Sequence, residues 1–159
     1  MANEVNPRIE IKVLDRRLHD WGLPKYQSAM AAAIDLHACI DAAISIAAGA
    51  PALLISSGIA IHLADPQLAA IVVPRSGLGH KQGLVMGNLM GVVDADYTGP
   101  VMISVWNRSA LGTQPVVIEP GERIAQMLFV PIVRPVFEVV EQFAKASERG
   151  GGGFGSTGT

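Results

Sequence analysis

Short apolar segments separated by turn residues are the main pattern along this chain. Residues 8–13, RIEIKV, alternate polar and apolar side chains, which is typical of a half-buried strand. Further apolar runs occur at 53–56, 59–63, 69–73, 101–106, 116–119, 124–130 and 136–140. Glycine, proline and aspartate lie between these runs and indicate turns. Many short strands at this spacing predict an all-β sandwich or barrel.

The remaining sequence leaves little room for long helices, since it contains 17 glycines and 10 prolines. Residues 76–82, SGLGHKQ, are predicted to form one short helical turn. No internal repeat is present. We therefore expect a single β domain over residues 1–146, followed by a glycine-rich arm over residues 147–159.

Composition narrows the class of protein. Half of the 159 residues are apolar and only 16% are charged, which suits a folded core and suggests burial of further surface by oligomerisation. A net charge of −2 gives no general attraction to nucleic acid or to anionic membranes. Cys39 is the single cysteine, which excludes an intrachain disulfide and a cysteine-based zinc site. The first residues lack a signal-peptide pattern and no apolar run approaches ~20 residues, so we expect a cytoplasmic protein.

Two stretches combine turn residues with reactive groups. PRSGLG, residues 74–79, can direct a guanidinium, a hydroxyl and backbone N–H groups at one anion such as phosphate. In GNLMGVVDADYTGP, residues 87–100, Asp94 follows two apolar residues and could serve as a general base, and the Tyr97 ring could pack against a sugar or a base. Plain turns are the alternative for both stretches.

Two further polar residues interrupt apolar segments. Gln126, in GERIAQML (121–128), either has a structural partner or lines a site. Asp35, in AAIDLHA (32–38), needs a partner because an isolated buried carboxylate is costly, and that partner is either an arginine or a metal-bound water. The four histidines show no ligand spacing and are expected to be structural.

The chain ends in RGGGGFGSTGT, residues 149–159. Such a glycine-rich end is usually a disordered linker. However, its arginine, aromatic ring and hydroxyls would suit an aromatic, anionic ligand. Neither interpretation is decided by this stretch alone.

The five stretches AAIDLHA, PRSGLGHKQG, GNLMGVVDADYTGP, GERIAQM and RGGGGFGSTG, in this order, resemble the five motifs of the trimeric dUTP pyrophosphatases (dUTPases). The resemblance implies a jelly-roll subunit that forms a homotrimer, with active sites at the subunit interfaces. It also implies hydrolysis of dUTP to dUMP and pyrophosphate with a divalent cation, normally Mg²⁺. That reaction would limit uracil incorporation into DNA and supply dUMP for thymidylate synthesis.

The resemblance also implies roles for individual residues. Asp94 would contact the 3′-hydroxyl and orient the attacking water, Asn88 would read the uracil edge, and Tyr97 would exclude a 2′-hydroxyl. The remaining nucleoside contacts would come from Val92, Val93 and Met102. The phosphates would meet Arg75, Ser76, Gly77 and Gln126, with Gln126 also counted as catalytic. Asp35 would hold Mg²⁺ through a water molecule. The arm would close over the nucleotide through Arg149, Phe154, Gly155, Ser156 and Thr157.

The sequence departs from the family pattern at three places. Ala33 stands where the first motif usually has glycine, Ser156 stands where histidine is common, and the loop 107–117 is interpreted as longer than its bacterial counterparts. Two other functions were considered. A zinc-free dCTP deaminase of the same fold would need a glutamate base, and residues 88–106 contain none. A trimer that binds nucleotide without catalysis would not need the carboxylate of Asp94.

Overall fold

Ten antiparallel strands form three sheets in the computed structural model, which describes residues 7–145 and Gly150. The strands are β1 Glu10–Val13, β2 Ile34–His37, β3 Ile44–Ile46, β4 Leu53–His62, β5 Leu68–Pro74, β6 Leu84–Met86, β7 Gly91–Val93, β8 Pro100–Asn107, β9 Val116–Ile118 and β10 Arg123–Pro131. The described helical elements are α1, Leu18–Trp21, and one turn of π-helix, Leu78–Gln82. The predicted all-β class and the predicted helical turn are confirmed.

Two four-stranded sheets and one ribbon enclose the core. The first sheet has the strand order β1-β4-β8-β6, the second has β2-β10-β5-β7, and β3 pairs with β9. Side chains alternate on β8, where Val101, Ile103 and Val105 are buried while Met102 and Trp106 face outward. Leu36, Val72 and Met127 extend the same core from the second sheet.

Strand β10 sets the register on which the candidate site depends. It pairs with β2 on one side and with β5 on the other, so that Gln126 lies between Asp35 and Val73. These pairings bring the AAIDLHA, PRSGLG and GERIAQM stretches to the same end of the second sheet. Residues separated by up to 88 positions in the sequence therefore make direct contact.

Strand β4 joins the two apolar runs that were predicted as separate strands at 53–56 and 59–63. Gly58 lies between them with φ +74°, and the pairing with β8 shifts register between Ser56 and Ala60. A side chain at Gly58 would collide with Cys39 Sγ as well as requiring a strained backbone. Glycine thus allows one continuous, bent strand where a turn was expected.

The strand predicted at 136–140 is wrong for the single chain. These residues have no assigned secondary structure and no strand pairing, and Val136 and Val139 are 98% and 99% exposed. A strand needs a partner edge, and the described part of this chain pairs none with it. The apolar pattern therefore gives no strand here.

Candidate active site

A pocket of about 380 Å³ lies beyond the end of β5. Strand β5 ends at Pro74, and the chain then turns into the π-helix, whose first turn includes a hydrogen bond from the Gly79 N–H to the Arg75 carbonyl (2.9 Å). The pocket is lined mostly by polar groups, namely Asp35, Arg75, Ser76, Gly77, Lys81, Gln82 and Gln126, with Leu78 as its apolar member. Four of the predicted phosphate-contacting residues, Arg75, Ser76, Gly77 and Gln126, and the predicted metal-associated Asp35 are brought together here.

Two arginines share the carboxylate of Asp35. Arg75 Nε lies 2.9 Å from Asp35 Oδ1, and Arg123 Nη1 lies 3.0 Å from Oδ2. The Asp35 side chain is only 12% exposed, and the two ion pairs offset the cost of burying it. Of the two partners considered for Asp35 from the sequence, the structure shows arginine.

Gln126 has a structural partner and also lines the pocket. Its Nε2 donates a hydrogen bond to the Pro74 carbonyl at 3.0 Å, which fixes the amide against the end of β5. Both alternatives for this residue therefore hold together.

His37 is buried beside this network. It lies opposite Arg123 in the β2–β10 pairing and is 6% exposed, and its Nδ1 has no hydrogen-bond partner. Burial lowers the pKa of His37, and the charge of Arg123 lowers it further. A neutral imidazole therefore adds no third cation next to the two arginines.

The segment 88–102 forms a different surface. Strand β7 pairs with β5 in the second sheet, whereas β8 lies in the first sheet, so the segment bridges two sheets and is not a two-stranded hairpin as expected. Its predicted nucleoside contacts Asn88, Val92, Tyr97 and Met102 are exposed, while Val93 packs partly against the core. The Tyr97 hydroxyl donates to the Pro100 carbonyl at 3.0 Å, which restrains the ring.

Asp94 lines a second pocket, of about 720 Å³, together with His62, Ala69, Asp96 and Arg134. This pocket shares no residue with the pocket of Arg75. Because Val93 pairs with Ala70, Asp94 lies level with Ala69, six residues before Arg75 along β5. Six extended residues span about 20 Å. The two groups of predicted site residues therefore do not converge within one chain.

Comparison with known proteins identifies the family. The dUTPase family model matches residues 19–158. The chain is also 54% identical over 152 residues to the deoxyuridine 5′-triphosphate nucleotidohydrolase of Klebsiella pneumoniae (strain 342), covering 95% of this chain and 97% of that protein. The chain belongs to the dUTPase family. The resemblance inferred from the five motifs is confirmed.

Solved dUTPase structures have the same fold. The dUTPase of Streptococcus mutans is 28% identical, with a TM-score of 0.67 over 80% of this chain and 98% of that one. The dUTPase of Staphylococcus bacteriophage 80alpha, solved with dUPNHPP, has a TM-score of 0.78 at 24% identity, over 96% of this chain and 99% of that one. These similarities confirm the jelly-roll fold that the motifs implied.

The residues of this dUTPase fit a cation held through water and phosphate better than one bound directly. In the ranges 7–145 and 150, no group of three or more histidine, cysteine, aspartate or glutamate side chains could hold a metal ion. Asp35 has both oxygens engaged by arginines. Magnesium keeps several of its waters and binds readily to substrate phosphates, so the pocket is compatible with outer-sphere contact from Asp35.

Several predictions concern residues that the structure does not describe. Arg149, Phe154, Gly155, Ser156 and Thr157 lie outside the described residues. The division into a domain and an arm at 146/147 also stays a prediction.

Among the described helices, none is long and apolar enough to cross a membrane. The cytoplasmic location stays a prediction as well.

Arg123 was not predicted from the sequence. It lies at the start of β10 in the GERIAQM stretch, and that stretch was analysed for Gln126 alone. A glutamate and an arginine before an apolar strand look like solvent-facing residues, and no local pattern indicates a partner at Asp35. Only the strand register brings the two together.

Proposed function

We propose that this chain hydrolyses dUTP to dUMP and pyrophosphate, with Mg²⁺ as cofactor. The observation that carries the proposal is membership of the dUTPase family over residues 19–158, combined with a polar pocket built from three of the five motifs. A water oxygen attacks the α-phosphorus and transfers a proton to the carboxylate of Asp94. The bond between the α-phosphorus and the bridging oxygen breaks, and pyrophosphate leaves.

The pocket beyond β5 binds the phosphates. Arginine has five N–H donors; in Arg75 the Nε group faces Asp35 in an ion pair, and one Nη1 hydrogen is donated to the Arg123 carbonyl. Three donors remain for phosphate oxygens. The hydroxyl of Ser76, the backbone N–H of Gly77 and the amide of Gln126 complete this set at the wall of the same pocket.

Asp35 would hold Mg²⁺ through a water molecule, while the substrate phosphates would supply most of the direct contacts to the cation. The cation neutralises phosphate charge when bound. Asp35 thereby has a second task beside its ion pairs with Arg75 and Arg123. The position of Asp35 in the lining of the pocket supports this second role.

The segment 88–102 binds the nucleoside. Asn88 reads the uracil edge, aided by the backbone near Val92 and Val93 and by Met102. The Tyr97 ring stacks on the deoxyribose and leaves no space for a 2′-hydroxyl, so UTP is excluded by a steric clash. The hydrogen bond from Tyr97 to Pro100 supports this role because it limits the ring's movement.

We propose a homotrimer with active sites shared between subunits. The α-phosphate would have to lie near Asp94 and near Gln126, which line separate pockets; Gln126 pairs with Val73, four residues or about 13 Å along β5 from the level of Asp94. A site that combines Asp94 from one subunit with the phosphate pocket of a neighbour removes this conflict. The exposed apolar side chains of 132–143 support burial against another subunit, notably Val133, Val136, Phe137, Val139 and Phe143. The arm of a subunit, with Arg149, Phe154, Gly155, Ser156 and Thr157, closes the site.

The reaction is tested by ³¹P NMR of the purified protein with Mg²⁺ and dUTP, run beside dCTP, TTP and UTP. We expect pyrophosphate and dUMP from dUTP alone. Orthophosphate would show attack at the γ-phosphorus and contradict the mechanism. Tight dUTP binding without turnover would instead favour the binding trimer considered from the sequence.

A further inference from the structure

Arg123 is connected to the phosphate pocket without lining it. Its side chain is 44% exposed and forms part of the wall of a neighbouring cavity of about 540 Å³, together with Trp21, Lys25 and His37. Arg75 lines both this cavity and the phosphate pocket. A role for Arg123 in phosphate binding must therefore act through Arg75 or through Asp35.

Three contacts join Arg123, Asp35 and Arg75 in a closed ring. Arg123 Nη1 donates to Asp35 Oδ2 at 3.0 Å, Arg75 Nε lies 2.9 Å from Asp35 Oδ1 in an ion pair, and Arg75 Nη1 donates to the Arg123 carbonyl at 3.0 Å. Each carboxylate oxygen therefore serves one guanidinium. Arg75 is thus oriented by an ion pair with one side chain and by a hydrogen bond that it donates to one backbone carbonyl.

The charges of this ring do not cancel. Two guanidiniums share one carboxylate, which leaves about one positive charge at the border of the pocket. Among the described residues, Asp35 is the sole carboxylate ion-paired with Arg123. Without Arg123, both oxygens of Asp35 would be available to Arg75, and the excess charge would be lost.

We propose that Arg123 is a positioning residue for binding the substrate phosphates. It occupies one oxygen of Asp35, so that Arg75 is held by Nε and one Nη1 hydrogen and keeps its other donors directed at the phosphates. Removing the Arg123 side chain lets Asp35 take a second donor from Arg75, which turns the guanidinium away from the pocket. This inference rests on the proposed role of Arg75 in phosphate binding.

The test is a double-mutant cycle with a ligand that is not turned over. The variants are Arg123→Gln, Arg123→Lys, Arg75→Gln and the double variant Arg75→Gln/Arg123→Gln, with Arg16→Gln as a control at an exposed arginine. Calorimetry measures the affinity for the imido analogue dUpNHpp with Mg²⁺, and for dUMP. Thermal unfolding of each variant reports its folding.

We expect Arg123→Gln to weaken dUpNHpp binding about tenfold and dUMP binding less than about twofold, because dUMP lacks the outer phosphates. Arg123→Lys restores most of the affinity, since lysine can still pair with Asp35. In the Arg75→Gln background, Arg123→Gln has little further effect, because it acts through Arg75. If Arg123→Gln does not fold, Arg123→Lys is placed in the same cycle, where a smaller loss must likewise disappear.

Unchanged dUpNHpp affinity in Arg123→Gln overturns the inference. So does a loss that persists in full in the Arg75→Gln background, or one that affects dUMP equally. If Arg75→Gln itself binds dUpNHpp normally, the proposed phosphate role of Arg75 fails too. The two failures are thus distinguished by the Arg75 single variant.

Discussion

The phosphate pocket and the segment 88–102 are built in different ways. Ion pairs and hydrogen bonds across three neighbouring strands fix Asp35, Arg75 and Gln126 in the pocket and Arg123 beside it. In the segment 88–102, Tyr97 has a restraining hydrogen bond, while Asn88, Val92 and Met102 face solvent. Charged groups need partners inside their own chain, because an unpaired buried charge destabilises the fold. Apolar and uncharged side chains can stay exposed in the single chain and be buried against the surface of another subunit.

The largest expected effect separates the two regions by function. Asp94→Asn should lower kcat about 10³-fold, since the amide cannot accept a proton from water. Binding of dUpNHpp should stay within a few-fold, because the phosphate pocket is unchanged. Pyrophosphate release and calorimetry measure the two quantities. The matched control is Asp96→Asn, two residues away and also exposed to solvent. A kcat for Asp94→Asn close to that of the control would remove Asp94 from the chemistry.

The free energy of unfolding should depend on the ion pairs at the phosphate pocket and hardly at all on the exposed segment 88–102. Asp35→Asn leaves Arg75 and Arg123 without their shared carboxylate and should lower the free energy of unfolding by about 2 kcal/mol, since both arginines are partly exposed. Urea unfolding of Asp35→Asn beside Asp20→Asn, a change at an exposed aspartate, gives the comparison. Equal stability of the two variants would mean that the ion pairs of Asp35 contribute nothing.

Selectivity, by contrast, should depend on the segment 88–102. Tyr97→Ala should reduce the preference for dUTP over UTP by about tenfold, because the ring that blocks the 2′-hydroxyl is gone. Tyr97→Phe should change it less, since the ring stays and only the hydrogen bond to Pro100 is lost. The ratio of kcat/KM for the two nucleotides measures this. A parallel loss for both substrates would argue against steric exclusion by Tyr97.

The smallest effect is expected for the pH dependence of stability at His37, beside the phosphate pocket. The pKa of His37 is lowered by burial and by Arg123, so the folded state holds this histidine neutral where the unfolded chain begins to bind a proton. Its contribution to stability is present above the ordinary pKa of about 6.5 and is lost as pH falls towards the lowered value. Urea unfolding between about pH 7.5 and pH 5 should show a steeper decline for the native chain than for His37→Gln. Parallel declines would contradict this.

Much of the fold was predictable because the apolar runs of the sequence form strands that pack into the core. Strand β1 was anticipated from its alternating polar and apolar residues, and β4, β5, β8 and β10 from their apolar runs, although the bend at Gly58 was taken for a break. Strand β2 was not, since Asp35 and His37 make IDLH look half polar while all four residues are buried. Its burial depends on two arginines that lie far away in the sequence.

The residues of the site were predictable where the residue types within one motif already suit phosphate binding. Arg75, Ser76, Gly77 and Gln126 meet in one pocket as expected. Arg123 was missed because its contact with Asp35 depends on strand register rather than on local pattern. The separation of Asp94 from that pocket could not be predicted either, since motif order does not show which residues of one chain come together.

We propose that the phosphate pocket and the segment 88–102 of one chain serve different active sites. Asp94→Asn and Gln126→Ala subunits, each inactive alone, should be co-expressed and purified as mixed oligomers. If sites combine Asp94 from one subunit with Gln126 from another, random mixing leaves about one quarter of the sites intact, and about that fraction of native dUTP turnover should return. No recovery from verified mixed oligomers would place both residues in the site of a single chain and contradict the account.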